Sequence, residues 1–235
     1  MLRPAENAAA AISWRMKAAE EVRSHDHFAA LLSAAPTLPW LRGELTTEIA
    51  RIVADEQRHA ELCRRMSCLF QRDVNDDVPI AASTEPPLDA AAAARTVVIE
   101  MAVGEMVSAS LFARARSGAR EVNTRAALTE ILRDEVRHAR VGWQAAPKVL
   151  SMFARDWWEE TIAVGLGAIE QHVALPALLF LKEARAFDPE WIRLGIIPPE
   201  VRVDTFYRCI EHTIFPRLTA LGFDGAALWR QRYSM

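Results

Sequence analysis

The sequence predicts an all-α protein, four long helices in a core bundle followed by two accessory helices. Three observations predict it. Glycine is scarce, 9 in 235 residues, and strand-like alternation is hard to find. Ala, Leu, Glu and Arg dominate, with apolar positions recurring at three and four residues. Clear breaks then divide the chain into helices near 5–34, 40–71, 88–117, 121–154, 157–186 and 199–221.

Each break has a chemical reason. Ala35-Pro36-Thr37-Leu38-Pro39 ends the first helix, because proline lacks the N–H that continues a helical ladder. The stretch from Asp73 to Pro87 holds three prolines, three aspartates and an asparagine, and reads as a long connection. Ser117-Gly118 makes a short turn. A weaker break falls near Arg155-Asp156, and Pro147 is an earlier position at which the fourth helix can kink or end. Phe187 to Pro199 carries Pro189, Pro198 and Pro199 and reads as a loop. Four helices of about thirty residues each reach roughly 45 Å. Short turns within each pair and a long link between the pairs imply two antiparallel hairpins joined by a crossover, not an up-down-up-down bundle. The reading is a single domain over 1–235, with its core at about 5–154 and accessory helices at about 157–221.

Hydrophobic residues make up 51% and charged residues 25% of the chain, ordinary values for a globular protein. A net charge of -3 gives no electrostatic reason to expect nucleic acid or an anionic membrane as a partner. Arg114, Arg116 and Arg120 read as the solvated end of a helix. Cys63, Cys68 and Cys209 are odd in number and lack CxxC spacing, so neither a disulfide framework nor a cysteine zinc site is expected. The apolar stretch around Val173 to Leu181 is interrupted by Pro176 and too short to span a bilayer, and no secretory signal is evident; a cytoplasmic location is the expectation.

The strongest signal is a repeat. Residues 55–60 read Asp-Glu-Gln-Arg-His-Ala and residues 134–139 read Asp-Glu-Val-Arg-His-Ala, five of six positions being identical. The copies fall on the second and fourth helices. Residues three apart share a helix face, so Glu56 and His59, and likewise Glu135 and His138, can point the same way. Each pair offers a carboxylate oxygen and an imidazole nitrogen, a mixture suited to iron or manganese. Two such pairs, with one more glutamate from each remaining helix, make a dinuclear carboxylate site.

Antiparallel register locates the other two glutamates. From a turn near 119–120, the level of Glu135 on the third helix is near residue 104, which fits Glu105. Glu100 is five residues away and about 140° off that face in an α-helix. From a turn near 37–38, the partner of Glu56 sits near residue 19, where both Glu20 and Glu21 qualify. Glu21 shares a stripe with Trp14, Ala18, Ser24 and Phe28 and is preferred. The neighbours of both motifs are apolar: Ile52, Val53 and Leu62 around one, Ile131, Leu132 and Val141 around the other. Four glutamates and two histidines in a core without metal would be very costly to desolvate.

With these residues the chain resembles the ferritin-like di-iron carboxylate superfamily over about 12–145. Trp14, Glu21-Val-Arg-Ser24 and Phe28 are similar to a first-helix pattern of bacterial ferritin-like proteins. Val103-Gly104-Glu105 is similar to a third-helix Gly-Glu element, and Arg133 to Trp143 to the fourth-helix Asp-Glu-x-Arg-His signature followed by Trp. The resemblance implies two iron ions, with manganese or a mixed Mn/Fe pair as alternatives, reacting with dioxygen or peroxide. It makes Glu56 and Glu135 the bridging ligands, His59 and His138 terminal ligands, and Glu21 and Glu105 outer carboxylates. Glu56, Glu135 and Glu105 would then be the catalytic residues. It also implies that Asp55 and Asp134 orient the histidines through their free N–H groups; an ion pair with Arg58 or Arg137 is the competing reading.

Departures from the family narrow the function. Cys63 stands where the ribonucleotide reductase small subunit carries its radical tyrosine, and Tyr207 and Tyr233 lie far along the chain, so a radical-storing subunit is not expected. Methane monooxygenase hydroxylase resembles the chain in having cysteine there, but a small apolar filler is the simpler role for Cys63. Arylamine N-oxygenases carry an extra histidine where Ile131 stands. No pair of CxxC segments is present to make a rubrerythrin-type electron relay. His25 lies one turn after Glu21 and within reach of metal or substrate, although beside His27 a solvated histidine is commoner. Trp157, Trp158 and Trp191 suit core packing or a homodimer interface better than a substrate pocket. The expected function is an O2-activating oxidase or monooxygenase using a small organic substrate and an external electron donor. The alternatives are a ferroxidase, peroxidase or iron-handling protein, and a scaffold or binding bundle with a structural metal.

Overall fold

The computed structural model describes residues 3–71, 88–182 and 187–233, and among these every regular element is helical. The long rods are α1 (Pro4–Ala34), α2 (Glu44–Phe70), α3 (Ala90–Gly118) and α4 (Val122–Leu150). They are followed by α5 (Arg155–Val173), α6 (Leu175–Lys182), α7 (Pro199–Cys209, continuing through Ile210–Ile214 and Phe215–Ala220) and α8 (Gly225–Gln231). The expected crossover at Asp73–Pro87 and the expected end of the fifth helix at 183–186 lie outside the described residues.

The chain forms two compact units: Met1–Ala93, Ala115–Asp134 and Pro189–Ile196 in one, Ala94–Arg114, Glu135–Asp188 and Ile197–Met235 in the other. Three of the boundaries fall inside continuous helices, two in α3 and one in α4.

In the first unit, α1 and α2 form an antiparallel hairpin. Ser67 near the end of α2 donates to the Ala11 carbonyl near the start of α1 at 3.1 Å, while His59 meets Glu21 further along. Trp14, Phe28 and Leu31 on one rod and Ile49 and Ile52 on the other are fully buried. The turn between them contains a 3-10 helix at Pro39–Leu41 and ends at Gly43, whose φ of 85° is the left-handed conformation that favours glycine. The segment expected to be a plain loop holds another 3-10 helix, Pro189–Leu194. It is tied down by Arg193, whose guanidinium meets buried Glu6 at 2.9 Å and whose carbonyl accepts from the Arg120 amide at 2.8 Å.

In the second unit, α5 and α6 correct the single helix expected over 157–186. They meet at a 42° bend, because Pro176 has no N–H to extend the α5 ladder and its ring crowds the preceding turn. Trp158 is fully buried and Trp157 stacks on Phe153 with ring centroids 4.6 Å apart. The chain end is pinned by one buried carboxylate. Glu170 on α5 accepts from the Tyr207 hydroxyl at 2.7 Å, the Tyr233 hydroxyl at 2.7 Å and the Arg232 Nε at 2.5 Å. Helix α8 was absent from the sequence reading; Asp224 caps it by accepting from the Ala227 amide at 2.9 Å.

Among the described residues two segments are π-helical, Thr96–Gly104 within α3 and Ile210–Ile214 within α7. Neither was expected. The first, Thr-Val-Val-Ile-Glu-Met-Ala-Val-Gly, is apolar almost all round, so its pattern carries no register. The same composition makes α3 the one described helix long and apolar enough by itself to cross a bilayer, yet 67% of that stretch is buried inside the molecule.

Candidate metal centre

On α1 the buried positions Trp14, Ala18, Glu21 and Phe28 recur at helical spacing, and Glu21 lies at the middle of that stripe. Glu20, its neighbour, is only partly buried. On α2 the buried stripe Ile49, Ile52, Glu56, His59, Ala60 and Cys63 carries the first motif on the core face. His59 is fully buried, with Nδ1 3.2 Å from Glu21 Oε2 and Nε2 3.3 Å from Asp134 Oδ2. A cation held on the Glu21 side would take the Nδ1 lone pair and leave the ring proton on Nε2, donated to Asp134.

Both readings of Asp134 hold together. It accepts from His59, and it also pairs with Arg58, whose Nη2 lies 2.5 Å from Oδ2. Arg58 forks further to Asp55 at 2.5 Å and Glu130 at 3.3 Å, so it joins the aspartates of the two motifs. Burial pushes the Asp134 carboxyl up, but hydrogen bonds from Arg133 and His59 outweigh it and hold the group below the usual carboxylate range.

Glu105 opens the α-helical stretch that follows the π segment, and its amide bonds the carbonyl of Glu100. Its Oε2 lies 3.5 Å from His138 Nδ1. Arg137 places a guanidinium nitrogen 3.3 Å from His138 Nε2. Because Glu100 and Glu105 are linked by a five-residue hydrogen bond, the α-helical rotation that separated them on paper does not apply. Burial separates them instead: Glu105 is 4% exposed, whereas Glu100 is only partly buried.

Among the described residues, two groups of side chains could hold a metal ion: Glu21, Glu56, His59 and Glu135 in one, Glu56, Glu105, Glu135 and His138 in the other. Within each group one ligand atom per residue lies within 4.8 Å of the rest. All six residues are at most 4% exposed. No known family model, curated protein or solved structure matches this chain. The chemistry of the donor set is therefore the ground for judging fit. Four buried carboxylates carry the charge that two divalent cations neutralise, and oxygen with imidazole nitrogen suits iron or manganese. The residues fit such a pair.

Other singled-out residues fall elsewhere. His25 bonds Asp26 at 3.1 Å and belongs to neither group. Cys63 is fully buried on the α2 core face. The sequence reading missed the π segment leading to Glu105; its only trace in the sequence is a run too uniformly apolar to assign a face.

Proposed function

We propose that the six residues form one dinuclear centre in a ferritin-like bundle, and that the protein is an O2-activating oxidase or monooxygenase of a small organic substrate. One observation carries the reading: Glu56 and Glu135 belong to both ligand groups. A residue shared by two sites is what a bridging carboxylate requires, so a pair of ions is favoured over one. When bound, two ferrous ions would supply the electrons and oxidising power for dioxygen chemistry. The chain's part is to hold and shield them. Glu56 and Glu135 would be shared by the two ions, Glu21 and His59 would complete the hold on one, and Glu105 and His138 on the other. Asp134 would accept the His59 Nε2 proton when Nδ1 binds the metal.

Burial of all six ligands supports a centre shielded from water, and the accessory helices α5 to α8, which iron storage does not need, support an organic substrate. Anaerobic loading with ferrous ion followed by a pulse of O2 tests the proposal. The expected result is uptake of about one O2 per pair of irons, then arrest until an external reductant is added. Continued oxidation of excess ferrous ion would make the protein a ferroxidase, and no uptake at all would leave the metal a structural role.

A further inference from the structure

Gly142 lies one turn beyond His138 on α4, and Met101 and Ala102 lie one turn before Glu105 on α3. The two helices touch there backbone to backbone. A Cβ at Gly142 would stand 2.5 Å from the Ala102 nitrogen and 2.6 Å from both the Met101 carbonyl carbon and its oxygen. Real Cβ contacts are essentially never shorter than 3.0 Å, and backbone atoms cannot rotate away as a side chain can. The atoms met belong to the π-helical segment that ends at Glu105.

The same segment has a second glycine against it. A Cβ at Gly165 on α5 would meet Ile99 at 2.7 Å (Cδ1), 2.8 Å (Cγ2) and 2.9 Å (Cγ1). Here the obstacle is a side chain. Gly142, Gly165 and Ile99 are all buried, so neither helix can be displaced into solvent without opening the core. The π segment is thus seated between two glycines, one facing its backbone and one facing its side chain.

We propose that Gly142 is a positioning residue for the Glu105 half of the metal centre. By allowing α4 to ride directly on the π segment, it brings Glu105 within 3.5 Å of His138. A methyl group at 142 lifts the segment and carries Glu105 away from the Glu135–His138 turn. The three atoms nearest a Cβ at Gly142 all belong to α3, whereas Glu21, Glu56 and His59 stand on α1 and α2, so their hold on the first ion is unaffected. This rests on the dinuclear reading above.

Anaerobic titration with Co2+, followed by visible absorption and by elemental analysis of desalted protein, tests it. The wild-type chain is expected to take up two Co2+. Gly142→Ala, with its helical circular dichroism intact, is expected to bind the first with wild-type affinity and the second at least tenfold more weakly. Tight binding of both ions by Gly142→Ala overturns this inference and leaves the dinuclear reading standing. A wild-type chain that takes up no Co2+ removes both. Should Gly142→Ala fail to fold, Gly165→Ala pushes the same segment through Ile99. Weakening of the second ion at least tenfold, with recovery in Gly165→Ala/Ile99→Ala, supports the inference; unchanged second-ion affinity in Gly165→Ala sinks it.

Discussion

Glu56 and Glu135 occupy the central place among the side chains because each serves both ligand groups. In the proposed dinuclear centre, removing either would take a carboxylate from both ions at once, and the remaining donors would not make up the charge. Glu56→Ala and Glu135→Ala are each expected to lose the second iron, measured as iron per chain after ferrous loading and desalting. Glu100→Gln is the contrasting variant. Glu100 belongs to neither group and is partly open to solvent, so its iron content should stay at the wild-type value. Loss of iron there, or full occupancy in both alanine variants, would refute the ligand assignment. The first-helix choice between Glu20 and Glu21 came from the apolar stripe and agrees with their burial. For Glu105 against Glu100 the antiparallel register points to the more buried residue, but the rotational difference between them presumes α-helical geometry that the π segment does not have.

At the scale of elements, Glu170 on α5 ties down Arg232 and Tyr233 of the C-terminal tail. Burial pushes Glu170 up, but Arg232, Tyr207 and Tyr233 outweigh it and hold the carboxyl below its ordinary range. Burial first, and then the hydrogen bond to Glu170, push Tyr207 up to about 12 from an ordinary 10.0. Because the folded value of Tyr207 lies above the unfolded one, its contribution is complete below pH 10 and is lost as pH rises through 12. The lowered Glu170 contributes above its unfolded value of 4.5 and loses that contribution as pH falls through its folded value. The urea midpoint of wild type should therefore exceed that of Tyr207→Phe by a constant amount between neutrality and pH 10. The gap should close by about pH 12. A gap that persists unchanged to that pH would show that the Tyr207–Glu170 bond is not its source. Glu170→Gln leaves Arg232 without its charge partner and should cost about 3 kcal/mol, the low end for a broken buried pair.

Over the whole molecule, the proposed centre would tie metal content to stability. A ligand that binds only the folded chain stabilises it by mass action, about 2.7 kcal/mol at a concentration one hundred times its dissociation constant. For a chain of this size that corresponds to a rise of roughly 5–10 °C in melting temperature. Excess Fe2+ or Mn2+ should produce such a rise over protein held in chelator, and alanine at Glu56 should blunt it. Melting curves indifferent to both metal and chelator would contradict the donor-set argument itself.

The sequence by itself determined the helical class, the rods α1 to α4 to within a few residues, and the two Glu-x-x-His turns. These follow from local rules: the three-and-four periodicity, the prolines that interrupt it, and a repeat read from one strand of text. What only the tertiary structure decided was how the backbone departs from those rules. The π segments, the 42° bend at α5–α6, the 3-10 turn at Pro189–Leu194 and the tail pinned on Glu170 all depend on partners distant along the chain. Gly142 shows the reason most plainly. In the sequence it is one glycine inside a helix, a slight local cost; in the fold it is the point where two backbones touch, and no local pattern records a contact with residues some forty positions away.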